Sequence, residues 1–181
     1  MTEPVVLPHL VAGNLALDLA NTISWRGTPR VIDYLANADG LAAWATAIGL
    51  IDSADAPALQ AFDEVRALRA AIIAAGSAIA AGAVPDVSAT ATVARLAARS
   101  LAASSLEGVP ASMAFAPEDQ IVGPLAWAAL DLFRGEELAR LKQCPPDDCR
   151  WLFIDRTKNG SRRWCDMASC GNRAKARRSR E

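Results

Sequence analysis

The 181-residue sequence has no cysteine before residue 144, no lysine before residue 142 and a single histidine. Aromatic residues make up 6%, and this low share with abundant alanine favours packed helices over a β-sandwich. No apolar run approaches the roughly 18–20 residues of a membrane span, because Arg69 and Gly76 interrupt the most alanine-rich stretch. Residues 1–12 lack the basic start and hydrophobic block of a signal peptide. We therefore expect a cytoplasmic protein with no membrane partner.

The sequence also lacks the motifs of catalysis. His9 lies in a proline-flanked N-terminal stretch, where we expect it at the surface. There is no glycine-rich phosphate loop, no G-x-S-x-G elbow and no H-x-E motif with a cysteine pair. The acidic pairs Asp63-Glu64 and Glu136-Glu137 are typical of solvated helix faces. The sequence predicts no catalytic residue and no enzyme.

The net charge of −1 conceals an uneven distribution of charge along the chain. Residues 1–139 carry seven arginines against 15 acidic residues, which gives −8. Residues 140–181 carry 12 lysines and arginines against five acidic residues, which gives +7, and the two parts sum to −1. Such asymmetry indicates that the basic part meets a polyanion.

The first part, residues 1–140, is predicted to be a helical domain with a sensing or assembly role. Asn14 can cap a short helix in which Leu15, Leu19 and Ile23 repeat at helical spacing. A small hairpin is predicted between Leu106 and Phe115. Further helices are predicted after Asp33, after Asp39-Gly40, from Asp55 to the loop at 83–86, over 88–104, and from Pro117 toward Lys142.

Three short polar side chains, Asn14, Asp18 and Asn21, share a second face of the first helix at i, i+4 and i+7. They could line a pocket for a small-molecule effector. Alternatively, they could cap the helix and hydrogen-bond to buried backbone groups. The sequence leaves both interpretations open.

All four cysteines follow the pattern C-x4-C-x15-C-x4-C, at Cys144, Cys149, Cys165 and Cys170. Four thiolates supply the tetrahedral ligand set of a structural zinc site that has no open position for a substrate. The alternatives are two disulfides, which are rare in the cytosol, and an iron–sulfur cluster, whose usual ferredoxin spacing is absent. The pattern predicts one structural Zn²⁺.

Residues 141–181 are predicted to form a small ββα module of the treble-clef type. The turn at residues 145–148 can return Cys149 to Cys144, and residues 151–154 read as a strand. Residues 162–165 are predicted to be its return strand, after a turn that contains Asn159-Gly160. A helix is expected to begin at Cys170, and Trp151, Phe153 and Trp164 are expected to form the small core of the module.

The cysteine spacing and its neighbours resemble the CGNR zinc-finger family. The matching segments are C-x4-C-x-x-x-F-x-D at 144–155, RRWC-x4-CGNR-x-K at 162–175, and GNLALDLANT at 13–22. Leu19-Ala20 departs from the bulkier residues usual in the family. The resemblance covers essentially the whole chain, and it implies an ABATE-like helical domain, a zinc-ribbon-like C-terminal motif and a role in bacterial transcription regulation.

The C-terminal module is predicted to bind nucleic acid, with DNA favoured over RNA. Lysine and arginine neutralise phosphates, and arginine also binds guanine edges. The same surface could instead dock an acidic protein partner, or its arginines could pair with nearby carboxylates and thiolates. A homodimer through the helical domain is a further expectation. The predicted contact residues are Arg156, Lys158, Arg162, Arg163, Asn172, Arg173, Lys175, Arg177 and Arg178.

Overall fold

A computed structural model describes residues 7–52 and 57–179, without the side chains of residues 57–59. The fold of these residues is mainly α, as the sequence predicts, with small strand pairs between the helices. The described helices are α1 (Leu15–Ala20), α2 (Ala38–Ala47), α3 (Pro57–Ala80), α4 (Val87–Ala102), α5 (Val122–Arg134) and α6 (Asn172–Arg178).

Within the described residues, three antiparallel strand pairs connect and flank the helices. In the last pair, Leu141 is opposite Ile154 and Gln143 is opposite Leu152. The strands are β1 (Ile23–Ser24) with β2 (Ile32–Asp33), β3 (Ser105–Glu107) with β4 (Ser112–Ala114), and β5 (Leu141–Gln143) with β6 (Leu152–Ile154).

The core forms where α1, α3, α4 and α5 pack together. Apolar residues at helical spacing point inward from α3, where Val65, Leu68 and Ile72 are fully buried. Leu96 of α4 and Leu125 of α5 are buried in the same cluster. None of the described helices combines the length and the apolar character that a membrane span requires.

Several predicted elements agree with the structure and others do not. Asn14 caps α1, since its side-chain oxygen accepts a hydrogen bond from Ala16 N–H at 2.9 Å, and the predicted hairpin is the β3–β4 pair. Ile23, predicted in the first helix, lies in β1, and the helix predicted to run toward Lys142 ends at Arg134, with Lys142 in β5. The helix predicted after Asp33 is wrong, because residues 34–37 form a turn and bends between β2 and α2. The break predicted at Gly40 is also wrong. Gly40 lies within α2, and a Cβ there would approach the Tyr34 carbonyl oxygen at 2.5 Å.

The start predicted for the long helix at Asp55 lies outside the described residues, and α3 is described from Pro57 onward.

The hydrophobic core continues past residue 140, the predicted domain boundary. Leu141 of β5 and Leu152 and Ile154 of β6 belong to the same buried cluster as the helices. Both strands contact α3, and β6 also contacts α1. The hairpin that carries the first two cysteines is therefore packed directly on the helical core.

Candidate metal centre

The first cysteine pair flanks a tight turn between β5 and β6. Cys144 N–H donates to Trp151 O at 2.8 Å, and Cys149 N–H donates to Pro146 O at 2.9 Å. Arg150 has a φ of 55°, a left-handed conformation that lets the chain enter β6 directly after the turn. The turn thereby brings both sulfurs to the same end of the hairpin.

The second pair flanks a single π-helical turn, Met167–Gly171, that leads into α6. Asp166 caps this turn by accepting hydrogen bonds from Ala168 N–H and Ser169 N–H, both at 3.1 Å. A Cβ at Gly171 would contact the sulfur of Met167, and this exposed side chain would then have to move aside. This turn directs Cys170 back toward Cys165.

The return strand predicted at residues 162–165 is wrong, because these residues form no strand and β6 pairs with β5. Arg162 N–H donates instead to the Asp155 carboxylate at 3.0 Å. Lys142 Nζ also donates to this buried carboxylate, at 2.6 Å, and its hydrogen bond holds the pKa of Asp155 well below its usual range. Asp155 therefore fixes the loop before Cys165 without a strand ladder.

The four sulfurs converge on one point. All four Sγ atoms lie within 4.8 Å of one another, and all four residues are buried, unpaired thiols. The Cys149–Cys165 and Cys165–Cys170 sulfur pairs are each 3.5 Å apart. A tetrahedral Zn²⁺ with Zn–S bonds of about 2.3 Å needs sulfur pairs separated by roughly 3.8 Å. The cluster can therefore hold one zinc ion with small adjustments of its side chains.

The surroundings of the sulfurs lower the thiol pKa of two ligands, Cys149 and Cys170, and so favour their thiolate forms. Hydrogen bonds from Cys144, Cys149 and Cys165 lower the pKa of the Cys170 thiol, and the Arg173 guanidinium lowers it further, against the effect of burial. Arg173 Nη2 lies 3.0 Å from Cys170 Sγ. Zinc binds the thiolate form, and so these contacts prepare Cys170 as a ligand.

Phe153, Trp151 and Trp164 pack against the sulfurs, as the sequence predicts. Phe153 is fully buried, while the two tryptophans are half-buried. A module this small has little apolar surface of its own, so that metal and aromatic rings together stabilise it.

The segment 13–22 attaches the cysteine hairpin to the helices. Asn21 accepts a hydrogen bond from Leu152 N–H at 2.9 Å and donates Nδ2–H to Leu152 O at 2.8 Å. Next to it, Trp151 Nε1–H donates to Ile23 O at 2.9 Å, and Ile154 N–H donates to Ala12 O at 2.9 Å. The N-terminal segment thus satisfies the free edge of β6.

Comparison with known families agrees with this architecture. Residues 13–136 match the ABATE model, described as "Putative stress-induced transcription regulator", and this match covers more than half of the chain. The chain belongs to the ABATE family. Residues 140–181 match the CGNR zinc finger, which confirms the resemblance of the cysteine segment. No curated protein matches the chain.

The three polar residues predicted on one face of α1 of this ABATE chain all bond to backbone groups. Asn14 caps α1, Asn21 joins Leu152, and Asp18 accepts a hydrogen bond from Ala12 N–H at 3.1 Å. Burial raises the pKa of Asp18 to about 6. A ligand role for these three residues stays a prediction.

Several residues predicted to contact nucleic acid make intramolecular contacts in the CGNR finger. Arg156 pairs with Glu137 through two bonds of 2.6 and 2.8 Å, and Asn172 Nδ2–H donates to Ala168 O at 3.0 Å. Arg162 is half-buried, with its guanidinium 4.4 Å from the centre of the Phe153 ring.

Two further contacts join residues predicted to bind nucleic acid to the N-terminal part of the chain. Arg162 Nη2 donates to Val11 O at 2.8 Å, which links the finger to the N-terminal segment. The Arg173 guanidinium lies 4.5 Å from the Trp25 ring centre. The sequence does not indicate this contact, because Trp25 and Arg173 are far apart in the chain.

The remaining residues predicted to contact nucleic acid lie at separate positions on the surface. Lys158 lies in a cavity with Arg140 and Arg156, and exposed Lys175 lies on α6. Arg163, Arg177 and Arg178 line a groove of ≈ 340 Å³. The other residues of this groove are Pro145, Pro146, Trp164 and Ala174. The predicted set therefore does not form one face, but its three arginines at this groove lie together.

Proposed function

We propose that this chain is a transcription regulator whose CGNR finger binds nucleic acid through the groove between the cysteine turn and α6. The convergence of Arg163, Arg177 and Arg178 on that groove is the observation that carries the proposal. DNA is the preferred partner, and the cytoplasm is the expected location. The proposal assigns no catalytic role to the chain.

The charges of the groove suit phosphate. Arg163 and Arg178 are exposed and form no ion pair with any residue in the described ranges, so that each can neutralise a phosphate. Arg177 pairs with Asp148 at 2.8 Å, although its side chain keeps 62% of its surface exposed. Lys175, exposed on the same helix, adds positive charge nearby.

The metal site would fix the spacing of these arginines. Arg163 lies two residues before Cys165, while Arg177 and Arg178 lie on the helix that follows Cys170. Pro145 on the opposite wall directly follows Cys144. When zinc joins the cysteines, it holds both walls of the groove at a set separation.

The intramolecular contacts narrow the predicted interface. Arg156, Arg162 and Arg173 bind other parts of the chain, and we assign them to the fold. In the same proposal, the helical part senses a small-molecule effector or mediates a homodimer, since one finger with three arginines contacts few nucleotides.

The test is a fluorescence anisotropy titration of zinc-loaded protein with labelled duplex DNA and RNA of random sequence at low salt. We expect Arg163→Ala and Arg178→Ala each to weaken DNA binding about fivefold, because each removes one phosphate contact. Arg95→Ala is the matched control, since Arg95 is exposed on α4 and belongs to the helical part.

Equal losses in all three variants would indicate general charge attraction and would contradict the assigned groove. No binding of either nucleic acid at low salt would reject the proposal. An acidic protein partner would then be the interpretation to test.

A further inference from the structure

A second cavity opens between the zinc finger and the loop that follows α1. Its volume is ≈ 200 Å³, smaller than typical drug-sized pockets. It lies beside the cysteine cluster, on walls formed by the cysteine turn, by α6 and by the β1–β2 region. It is separate from the arginine groove, and only a small ligand fits it.

Three aromatic rings contribute to the walls: Trp25, Tyr34 and Trp151. The Trp151 indole is held in place by its hydrogen bond to Ile23 O at 2.9 Å. Trp25 adopts a φ of 57°, a left-handed conformation that is uncommon for a large side chain and is held here by its tertiary contacts. Several aromatic rings around a small space attract organic cations through their electron-rich faces.

The charged lining also favours a cation. Asp148 and Asp166 line the cavity together with one guanidinium, that of Arg173, and exposed His9 lies at the edge. Arg173 Nη2 contacts Cys170 Sγ at 3.0 Å and the guanidinium stacks on Trp25, while its buried Nε lacks a hydrogen-bond partner among the described residues.

One oxygen in this lining has no hydrogen-bond donor. Asp148 Oδ1 is a buried atom that lacks a hydrogen-bond partner among the described residues. Arg173 Nη2 lies 3.8 Å from Oδ1, which is within ion-pair range but beyond hydrogen-bond length. The second oxygen, Oδ2, is already bonded to Arg177 at 2.8 Å. A ligand with an N–H group would satisfy Oδ1.

We propose that this cavity binds a small organic ammonium ion, with its N–H donated to Asp148 and its alkyl groups against Trp25, Tyr34 and Trp151. The site is distinct from the groove proposed for nucleic acid, and its occupancy does not depend on that function. It places a small-molecule site at the junction of the helical part and the zinc finger.

The experiment is an NMR titration of the full-length, zinc-loaded, ¹⁵N-labelled protein with trimethylammonium chloride at constant ionic strength. The indole N–H signals of Trp25 and Trp151 should shift and saturate. The signal of Trp44, which is fully buried in the helical core, should not move. The uncharged tert-butanol, of similar size and shape, should give no saturable shift at the same concentrations.

Asp148→Asn should weaken the cation affinity about fivefold, and Trp25→Leu by a similar factor. Asp147→Asn is the matched control, because it removes the same charge from an adjacent side chain that is 94% exposed and outside the cavity. An unmoved Trp44 signal and unchanged zinc content show that each variant is folded.

Three outcomes would overturn the proposal: no saturable shift with trimethylammonium, equal saturation with tert-butanol, or unchanged affinity in both Asp148→Asn and Trp25→Leu.

Discussion

At the scale of single residues, Asn21 joins two distant parts of the chain through both ends of its side-chain amide. Its amide satisfies both backbone groups of Leu152, which lies 131 residues away and is fully buried. Asn21→Ala leaves two buried backbone groups without partners, and we expect it to lower the free energy of unfolding by about 2–4 kcal/mol. Chemical denaturation of the zinc-loaded protein measures this loss.

Asn14→Ala is the comparison for that experiment. It removes a partly exposed helix cap and should cost about 1 kcal/mol. If Asn21→Ala cost no more than Asn14→Ala, the proposed attachment of β6 to α1 through Asn21 would be contradicted.

Asp18 gives the stability a defined pH dependence. Burial raises its pKa to about 6, against the hydrogen bond from Ala12 N–H that lowers it. The folded-state pKa of Asp18 lies above its unfolded value. The protonated carboxyl therefore stabilises the folded protein fully below the unfolded pKa, and this stabilisation is lost as the pH rises through about 6. Asp18→Asn keeps the acceptor oxygen without the charge.

We therefore expect the stability advantage of Asp18→Asn over the parent protein to grow between about pH 5 and pH 7, reaching about 1 kcal/mol. Denaturation curves of both proteins across this range provide the measurement. A difference that stays constant with pH would show that the carboxyl does not titrate in this window.

At the scale of elements, the packing of α3 on the β5–β6 hairpin depends on Gly76. A Cβ at this position would lie 2.7 Å from Leu152 Cδ1 and 3.8 Å from Leu141 Cδ2. Alanine usually stabilises a helix interior by about 0.5–1 kcal/mol relative to glycine. Here we expect Gly76→Ala to destabilise the protein by about 1–2 kcal/mol, because the hairpin must move away from α3.

A double-mutant cycle distinguishes this clash from other causes. In a Leu152→Ala background the obstructing methyl group is gone, so that Gly76→Ala should become neutral or stabilising. Equal losses in both backgrounds, measured by denaturation, would show that the two elements do not meet at this residue.

Elements encoded by nearby residues were predictable, and those set by distant contacts were not. The Asn14 cap and the cysteine ligands follow from short-range spacing and side-chain chemistry, and both agree with the structure. The predicted strand partner of β6 is wrong. β5 precedes β6 in the chain and residues 162–165 follow it, and the sequence does not show which of the two segments pairs with β6. The Asp155 contacts that decide the outcome come from Lys142 and from the backbone of Arg162.

The exposure of the basic residues also could not be predicted from the sequence. Their clustering in the sequence is evident, yet which guanidinium faces solvent depends on tertiary packing. Arg162 donates to Val11 O, 151 positions away, while its neighbour Arg163 is exposed. Adjacent identical residues therefore have different roles that composition and spacing cannot separate.

At the scale of the whole molecule, zinc should stabilise more than the finger. The two-part interpretation of the sequence predicts that the helical part keeps its stability when Cys144→Ser removes the metal. The shared core, with Leu141, Leu152 and Ile154 buried among the helices, leads us to expect the opposite. Metal binding contributes to folding when the site and the core form together.

We expect Cys144→Ser, or a chelator added to the parent protein, to lower the helical melting temperature by about 10 °C. Thermal unfolding followed by circular dichroism, with metal content measured alongside, is the test. A separate helical transition at an unchanged temperature would contradict the shared core.

The most direct test of the central claim is the salt dependence of DNA binding by zinc-loaded and zinc-depleted protein. If the finger presents three arginines to phosphate, the logarithm of the affinity should fall linearly with the logarithm of salt, with a slope near −3. Binding should be lost when zinc is removed. A slope near zero, or the same affinity with and without zinc, would contradict the claim that the metal-held arginine groove binds nucleic acid.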